Sequence, residues 1–328
     1  LAIALAVTVA SIVQPGVGVD LAMASEFVAK EAPPLKTTII NMFPSNPIQS
    51  MAQGSILQVI VFSLLMGFAI SKSGETGQRV GGVFSALNEV IMKMVMILMN
   101  LAPYGIFCLL AKLFAGLGIG VILSLAKYFF TVVFVLLLHS FGVYSLIFKT
   151  VTGLSVRRFL SKMRPALMFA FSTASSGATM PVTLRTVEHR MGVNNSVASF
   201  TVPLGATINM DGTAIMQGVA TVFIAQAYNI GLGMDDYLTV VLTATLASIG
   251  TAAVPGVGLV MLVMVLNQVG LPVEGIGLII GVDRLLDMMR TATNVTGDAM
   301  VTSVVAKTEG YMDTDIFNDP EAGVIRQV

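Results

Sequence analysis

The stretch IGLIIGVDRLLDMMRTATNVTGDAMVTSVV, Ile276 to Val305, reads as an apolar helix crossed by one line of polar groups. Asp283, Asp287, Arg290, Asn294 and Asp298 follow one another at spacings of 4, 3, 4 and 4. At about 3.6 residues per turn they fall within an arc of about 80° and make a stripe about 22 Å long. The stretch is long enough to cross a bilayer, which needs about 20 mostly apolar residues. Each charge at the bilayer centre costs at least ~2.5–3.5 kcal/mol on insertion scales. A face with four charges therefore has to look into protein or a wet cavity. Asp287 and Arg290, one turn apart, are expected to pair internally. Three carboxylates against one guanidinium still leave surplus negative charge for a cation. The alternative is a self-neutralising ion-pair helix that only packs. Arg284 lies off the stripe.

The whole chain is sparing of charge. Its 328 residues include 18 Lys or Arg and 18 Asp or Glu, 11% together, against roughly 25% in an ordinary globular chain. Hydrophobic residues make up 55%, and the mean hydropathy is +0.87. Lipid is the solvent such a surface suits. A net charge of zero with no basic tract argues against nucleic acid. The single cysteine, Cys108, excludes an intrachain disulfide framework and any multi-Cys metal site. Its apolar surroundings predict a buried, inert thiol. No Ser/His/Asp arrangement and no His-Glu-x-x-His motif is present, so the sequence does not point to an enzyme. His139, alone in an apolar run, reads as a packed histidine rather than a ligand. Leu1 opens inside an apolar stretch with no basic leader, which suggests a start within a span.

Charge-free runs mark the spans. Leu1 to Val19 is the first, with its helix ending near Gln14-Pro15-Gly16. Ile56 to Ile70 follows a polar connector. Val83 to Leu101 is weaker, because Glu89 and Lys93 interrupt it. Tyr128 to Phe148 holds only His139 as an ionisable residue.

The second half behaves differently. Met191 to Met234 carries one charged residue, Asp211, and Tyr237 to Val273 carries none. Their centres, Pro203 to Thr213 and Ser248 to Gly258, are dense in Gly and Pro, which break helices. Non-helical backbone at membrane depth survives only inside protein or along a wet cavity. Both centres are therefore candidate binding sites. Ala166 to Leu184 has a soft middle, Ser172 to Thr179. It is flanked by Arg157, Arg158, Lys162 and Arg164 on one side and by Arg185, His189 and Arg190 on the other. Basic residues collect on the cytoplasmic side, so this segment is expected to enter and leave from there as a re-entrant hairpin. Tyr237 to Val273 lacks Lys and Arg on both flanks and fits the opposite face. The expected fold is thus all-α, with two opposed re-entrant hairpins and two polar or broken helices forming an inverted repeat around a midplane site. Two ordinary helices per run, joined by short uncharged loops, remain the alternative.

Four motifs carry a resemblance to a known family. They are Asn209-Met210-Asp211-Gly212-Thr213, the Ser172 to Thr179 loop with Met180-Pro181, Ala247 to Gly256, and Asp287 to Asp298. In this order they resemble the glutamate transporter family, the dicarboxylate/amino acid:cation symporters, with the nearest likeness to prokaryotic aspartate and glutamate symporters. The resemblance covers essentially the whole chain. It implies a multi-pass protein of the inner (plasma) membrane of a prokaryote, a homotrimer in lipid in which a transport domain slides past a scaffold. It divides the chain into a partial transport helix (1–20), a polar connector (21–54), scaffold helices (55–118), a transport helix (119–150), an inner hairpin (151–190), a broken helix (191–233), an outer hairpin (234–271), the polar helix (272–306) and a cytoplasmic tail (307–328). Two further helices precede this starting point in the family, so a fragment is implied.

The same resemblance implies roles for residues. Arg290 would grip the side-chain carboxylate of L-aspartate or L-glutamate, a task its planar fork suits. Asp287 would hold the ammonium, Asn294 would donate to the α-carboxylate and Thr213 to the side-chain carboxylate, with Thr291 also counted in the pocket. Main-chain groups at Ser175, Ser176, Val254 and Gly258 would line it from the hairpin tips. Sodium would be co-transported, with protons as the alternative. One sodium site would use Asp298, Asn209 and the carbonyls of Gly205 and Asn294. A second would use Asp211 and Asn209, and a third Thr207 with carbonyls of Ser248, Ile249 and Thr251. Arg290 favours an acidic substrate, and Asp287 an amino acid over a plain dicarboxylate. Gln217 stands where animal relatives carry a glutamate. Ala174 and Met288 stand where many relatives carry a second arginine. A dicarboxylate symporter and an anion channel are the other readings.

Overall fold

The structure, a computed structural model, describes residues 1–19, 40–53, 55–99, 104, 107–108, 119–249 and 255–323. Regular structure among them is helical, apart from one isolated bridge between Val193 and Met312. The chain divides into two units, Glu31–Ile119 and the combination of Leu1–Lys30 with Gly120–Val328.

The first of these units holds α2 (Pro47–Ala52), α3 (Ile56–Lys72) and α4 (Gly74–Met99). The Asn46 side chain accepts from Ile48 and Gln49 N–H, and Pro47 starts α2 where its missing donor does no harm. Gln58 ties the turn together, accepting from Ser50 at 2.7 Å and donating to the Asn41 carbonyl at 2.8 Å. α4 is one continuous helix that takes in Glu89 and Lys93 and begins earlier than the hydropathy pattern indicates. Leu65, Phe68, Val83 and Ile97 are all exposed, as is Cys108, against the expectation of a buried thiol. An apolar run is buried only where protein packs on it, and in lipid an outward apolar face is no penalty.

The larger unit is built around α10 (Asp211–Ala227), in which every residue from Gly212 to Ala225 is buried. A helix apolar all round belongs in a core. α1 (Ala2–Val13), which ends at the left-handed Gln14, packs on it, as do α11 (Met234–Ile249), α12 (Val257–Gln268) and α13 (Ile276–Thr308). Gly212 lies against the Arg290 backbone and Ile224 against Gly275, so α10 and α13 run antiparallel. α5 (Ile119–Leu137) passes through a π-turn, Leu138–Tyr144, into α6 (Ser145–Thr152). Of this segment, the 30 residues Leu123–Thr152 contain an 18-residue window of mean hydropathy 2.1, long and apolar enough to cross a membrane.

α7 (Val156–Thr173) and α8 (Ser176–Arg185) pack as a pair, followed by a π-turn and α9 (Asn195–Ile208). The chain beyond α13 folds back on the base of this pair. Asn194 N–H donates to the Tyr311 carbonyl and Asp313 N–H to that of Gly192. α14 (Thr314–Asn318) seats Phe317 against Phe148, with Phe159 behind. Lys162, counted in the sequence as a flanking surface charge, is 2% exposed. Its amine donates to the carbonyls of Arg190, Ile316 and Asp319 at 2.5, 3.0 and 2.7 Å. Burial, and then the neighbouring Arg190, pull its pKa below the usual lysine value.

Candidate functional site

The polar stripe of α13 is where the larger unit's chain breaks converge. α9 stops at Ile208, Asn209 and Met210 interrupt, and α10 restarts at Asp211. The first N–H groups of a helix have no partner within it. At α10 one of them, Gly212 N–H, donates to Asn294 Oδ1 at 2.7 Å. α12 restarts after Gly256, held at φ 80°, and Gly256 N–H donates to Asp287 Oδ2 at 2.9 Å. A Cβ at 212 would collide with the Arg290 backbone, so only glycine lets α10 meet α13 this closely.

Arg290 is fully buried. Its Nη1 donates to Asp283 Oδ1 at 2.7 Å and its Nη2 to Asp287 Oδ1 at 2.8 Å. The internal Asp287–Arg290 pair expected from the one-turn spacing is therefore present. Asp283 was placed on the stripe, but its part as the second partner of Arg290 was missed. It stands seven residues, two turns, before Arg290, which is a readable signal. Charge-assisted forks of this kind fix orientation. Arg290 Nε and both amide atoms of fully buried Gln217 have no partner among the described residues.

Asn209, Gly205, Asn294 and Asp298 are brought together. Asn209 Nδ2 donates to Asp298 Oδ1 at 3.0 Å and to the Asn294 carbonyl at 3.2 Å. A Cβ added to Gly205 would touch Asp298 Oδ1 at 2.6 Å. Asp211, by contrast, turns to a different partner set. Its Oδ2 lies 2.9 Å from His139 Nε2 and accepts from Tyr144 Oη at 2.9 Å. His139 is buried as expected, yet it is a bonded partner of a candidate site residue rather than a packed ring alone.

The remaining candidates fall into two groups. Thr213 and Gly258 are buried side by side, and a Cβ on Gly258 would sit 3.6 Å from Arg290 Nη2. Thr291 is buried and donates to the Asp287 carbonyl at 2.9 Å. Ser175 and Ser176 are buried at the tip between α7 and α8, where the Ser175 hydroxyl caps α8. Ala174 just before them is left-handed at φ 50°. Thr207 is not drawn into a cluster, since its hydroxyl returns to the Leu204 carbonyl of its own helix. Ser248 likewise bonds back to Thr245. Ile249 ends α11, and Thr251 and Val254 lie outside the described residues.

Among the described residues no group of three or more His, Cys, Asp or Glu is gathered. What the arrangement offers a cation is single carboxylates with carbonyl and amide oxygens, a hard oxygen set. A groove of about 550 Å³ is apolar and meets α13 at Met289, Ala292, Thr293 and Thr296, off the charged stripe.

The sequence profile of the sodium:dicarboxylate symporter family matches residues 1–308. The proton/sodium-glutamate symport protein of Bacillus subtilis is 34% identical over 333 residues, covering 99% of this chain and 76% of the relative. The proton/glutamate-aspartate symporter of Escherichia coli is 37% identical over 324 residues, covering 95% and 74%. Human excitatory amino acid transporter 1 is 43% identical over 262 residues, covering 79% of this chain and 48% of the relative.

Proposed function

This chain belongs to the sodium:dicarboxylate symporter family, and from that premise we propose that it takes up L-aspartate or L-glutamate by secondary active symport with sodium. One observation carries the reading: a fully buried arginine lies on a polar helix stripe with Asn294 and Asp287, each of which accepts a backbone N–H from the start of a neighbouring helix. Helix N-termini and a guanidinium fork both suit carboxylates. The substrate's side-chain carboxylate takes the place of an aspartate on Arg290. Asp287, so released, holds the ammonium. Asn294, Thr213, Thr291, Ser175, Ser176, Val254 and Gly258 complete the pocket.

Sodium enters at Asp298 with Asn209, Gly205 and Asn294, at Asp211 with Asn209, and at Thr207 with Ser248, Ile249 and Thr251. Its charge offsets the surplus carboxylates and permits the α11–α12 pair to close. The unit with Leu1–Lys30 and Gly120–Val328 holds the transport domain, and residues 55–118 are the scaffold of a homotrimer in the plasma membrane. The two pairs, α7–α8 and α11–α12, are the inner and outer re-entrant hairpins of an elevator.

Proton coupling is the second reading, because the names of both bacterial relatives include protons. Radiolabelled aspartate uptake by the purified protein in proteoliposomes separates them. Uptake driven by an inward sodium gradient and not by an inward proton gradient is expected. Uptake driven by protons alone would keep the substrate pocket and remove the sodium assignment.

A further inference from the structure

The π-turn Leu138–Tyr144 aims two side chains at one atom. In an uninterrupted α-helix, residues five apart point about 140° away from each other. A π-turn closes through i→i+5 hydrogen bonds and brings such residues onto one side. His139 and Tyr144 are five apart, and both reach Asp211 Oδ2 at 2.9 Å. Their rings stack edge to face with centroids 4.5 Å apart. A carboxylate only accepts, so His139 Nε2 carries the hydrogen. His139 Nδ1 is buried without a partner among the described residues. His139 is 2% exposed and Tyr144 4%, whereas the Asp211 side chain is 36% exposed. Asp211 Oδ1 accepts no hydrogen bond among the described residues.

Asp211 is the first residue of α10. A carboxylate there is attracted to the free N–H groups of its own helix. The two donors from the π-turn oppose that pull. Tyr144 also stands beside the Asn209–Asp298 pair, since a Cβ on Gly297 would meet both Tyr144 Oη and Asn209 Nδ2.

We propose that His139 and Tyr144 are positioning residues for a cation site at Asp211, holding Oδ2 so that Oδ1 alone is presented to the co-transported monovalent cation. This rests on the reading of Asp211 as a cation ligand given above. Neither residue need touch the cation.

The test is a sodium titration of aspartate binding to the purified protein, with sodium-dependent thermal shift as a second readout. Tyr144→Phe and His139→Leu each remove one donor. Each is expected to raise the half-maximal sodium concentration about tenfold, while aspartate affinity at saturating sodium stays within about twofold. His139→Gln keeps an N–H donor at similar reach and is expected to stay close to the unmutated protein. A sodium midpoint unmoved in Tyr144→Phe and His139→Leu overturns the positioning role and leaves sodium coupling intact. So does equal damage from His139→Leu and His139→Gln, which is what packing alone would give. Sodium-independent binding by the unmutated protein overturns both the coupling and the positioning role.

Discussion

The pair α7–α8 starts on a Ser155 cap and turns through Ala174 onto a Ser175 cap, whereas α12 in the pair α11–α12 restarts after Gly256 with no side-chain cap. The first pair is tied down at its base. There the Lys162 amine gathers three carbonyls, the Arg190 guanidinium donates to the Lys162 carbonyl, and the chain after α13 folds over both. The second pair touches the charged stripe through a backbone N–H at its tip, the bond from Gly256 to Asp287. That aspartate is shared with Arg290. A group that competes for Asp287 would therefore remove this bond of the second pair and none of those at the base of the first. Local stability is uneven across a fold, and moving elements come from its weakly held end.

Lys162→Met is the strongest way to break the contrast. It removes a charged donor from three part-buried carbonyls, and since hydrogen bonds to charged groups are worth ~1.5–3 kcal/mol each, a loss of about 3 kcal/mol is expected. Thermal unfolding in detergent reads the loss, and aspartate affinity stays unchanged. An unmoved midpoint would mean the base of α7–α8 is not anchored there. Asp287→Asn sharpens the other side. The amide oxygen keeps a bond to Gly256, but Arg290 loses one charged partner while Asp283 remains. A loss of about 1–2 kcal/mol is expected, since hydrogen bonds to charged groups are worth ~1.5–3. Aspartate binding should weaken more than tenfold, and unimpaired binding would remove Asp287 from the pocket. Ala174→Gly is the mildest. The left-handed backbone at φ 50° strains alanine and not glycine. A gain of about 0.5–1 kcal/mol is expected from chemical unfolding, and a loss would show that the methyl packs better than the backbone suffers.

Much of this was readable in the chain. The polar line at Asp283, Asp287, Arg290, Asn294 and Asp298 depends only on helical spacing, and all five are buried on α13. The break at Asn209–Met210 follows from the weak helix formers Asn209, Asp211, Gly212 and Thr213 set between two apolar runs. Partners distant in sequence were not readable. His139 and Asp211 are 72 residues apart, and the π-turn that aims His139 leaves no hydropathy signal. Lys162 looks like any flanking cation until the distant Ile316 and Asp319 carbonyls are placed around it. Cys108 misled because apolarity in sequence does not say whether protein or lipid covers a residue.

The seat of Lys162 has a chemical consequence. An amine wrapped in three carbonyls and almost without contact with solvent is shielded from acylating reagents that modify surface lysines freely. Its reactivity is gated by the segment carrying Ile316 and Asp319, so the appearance of an acyl group on Lys162 would mark each occasion on which that segment lifts.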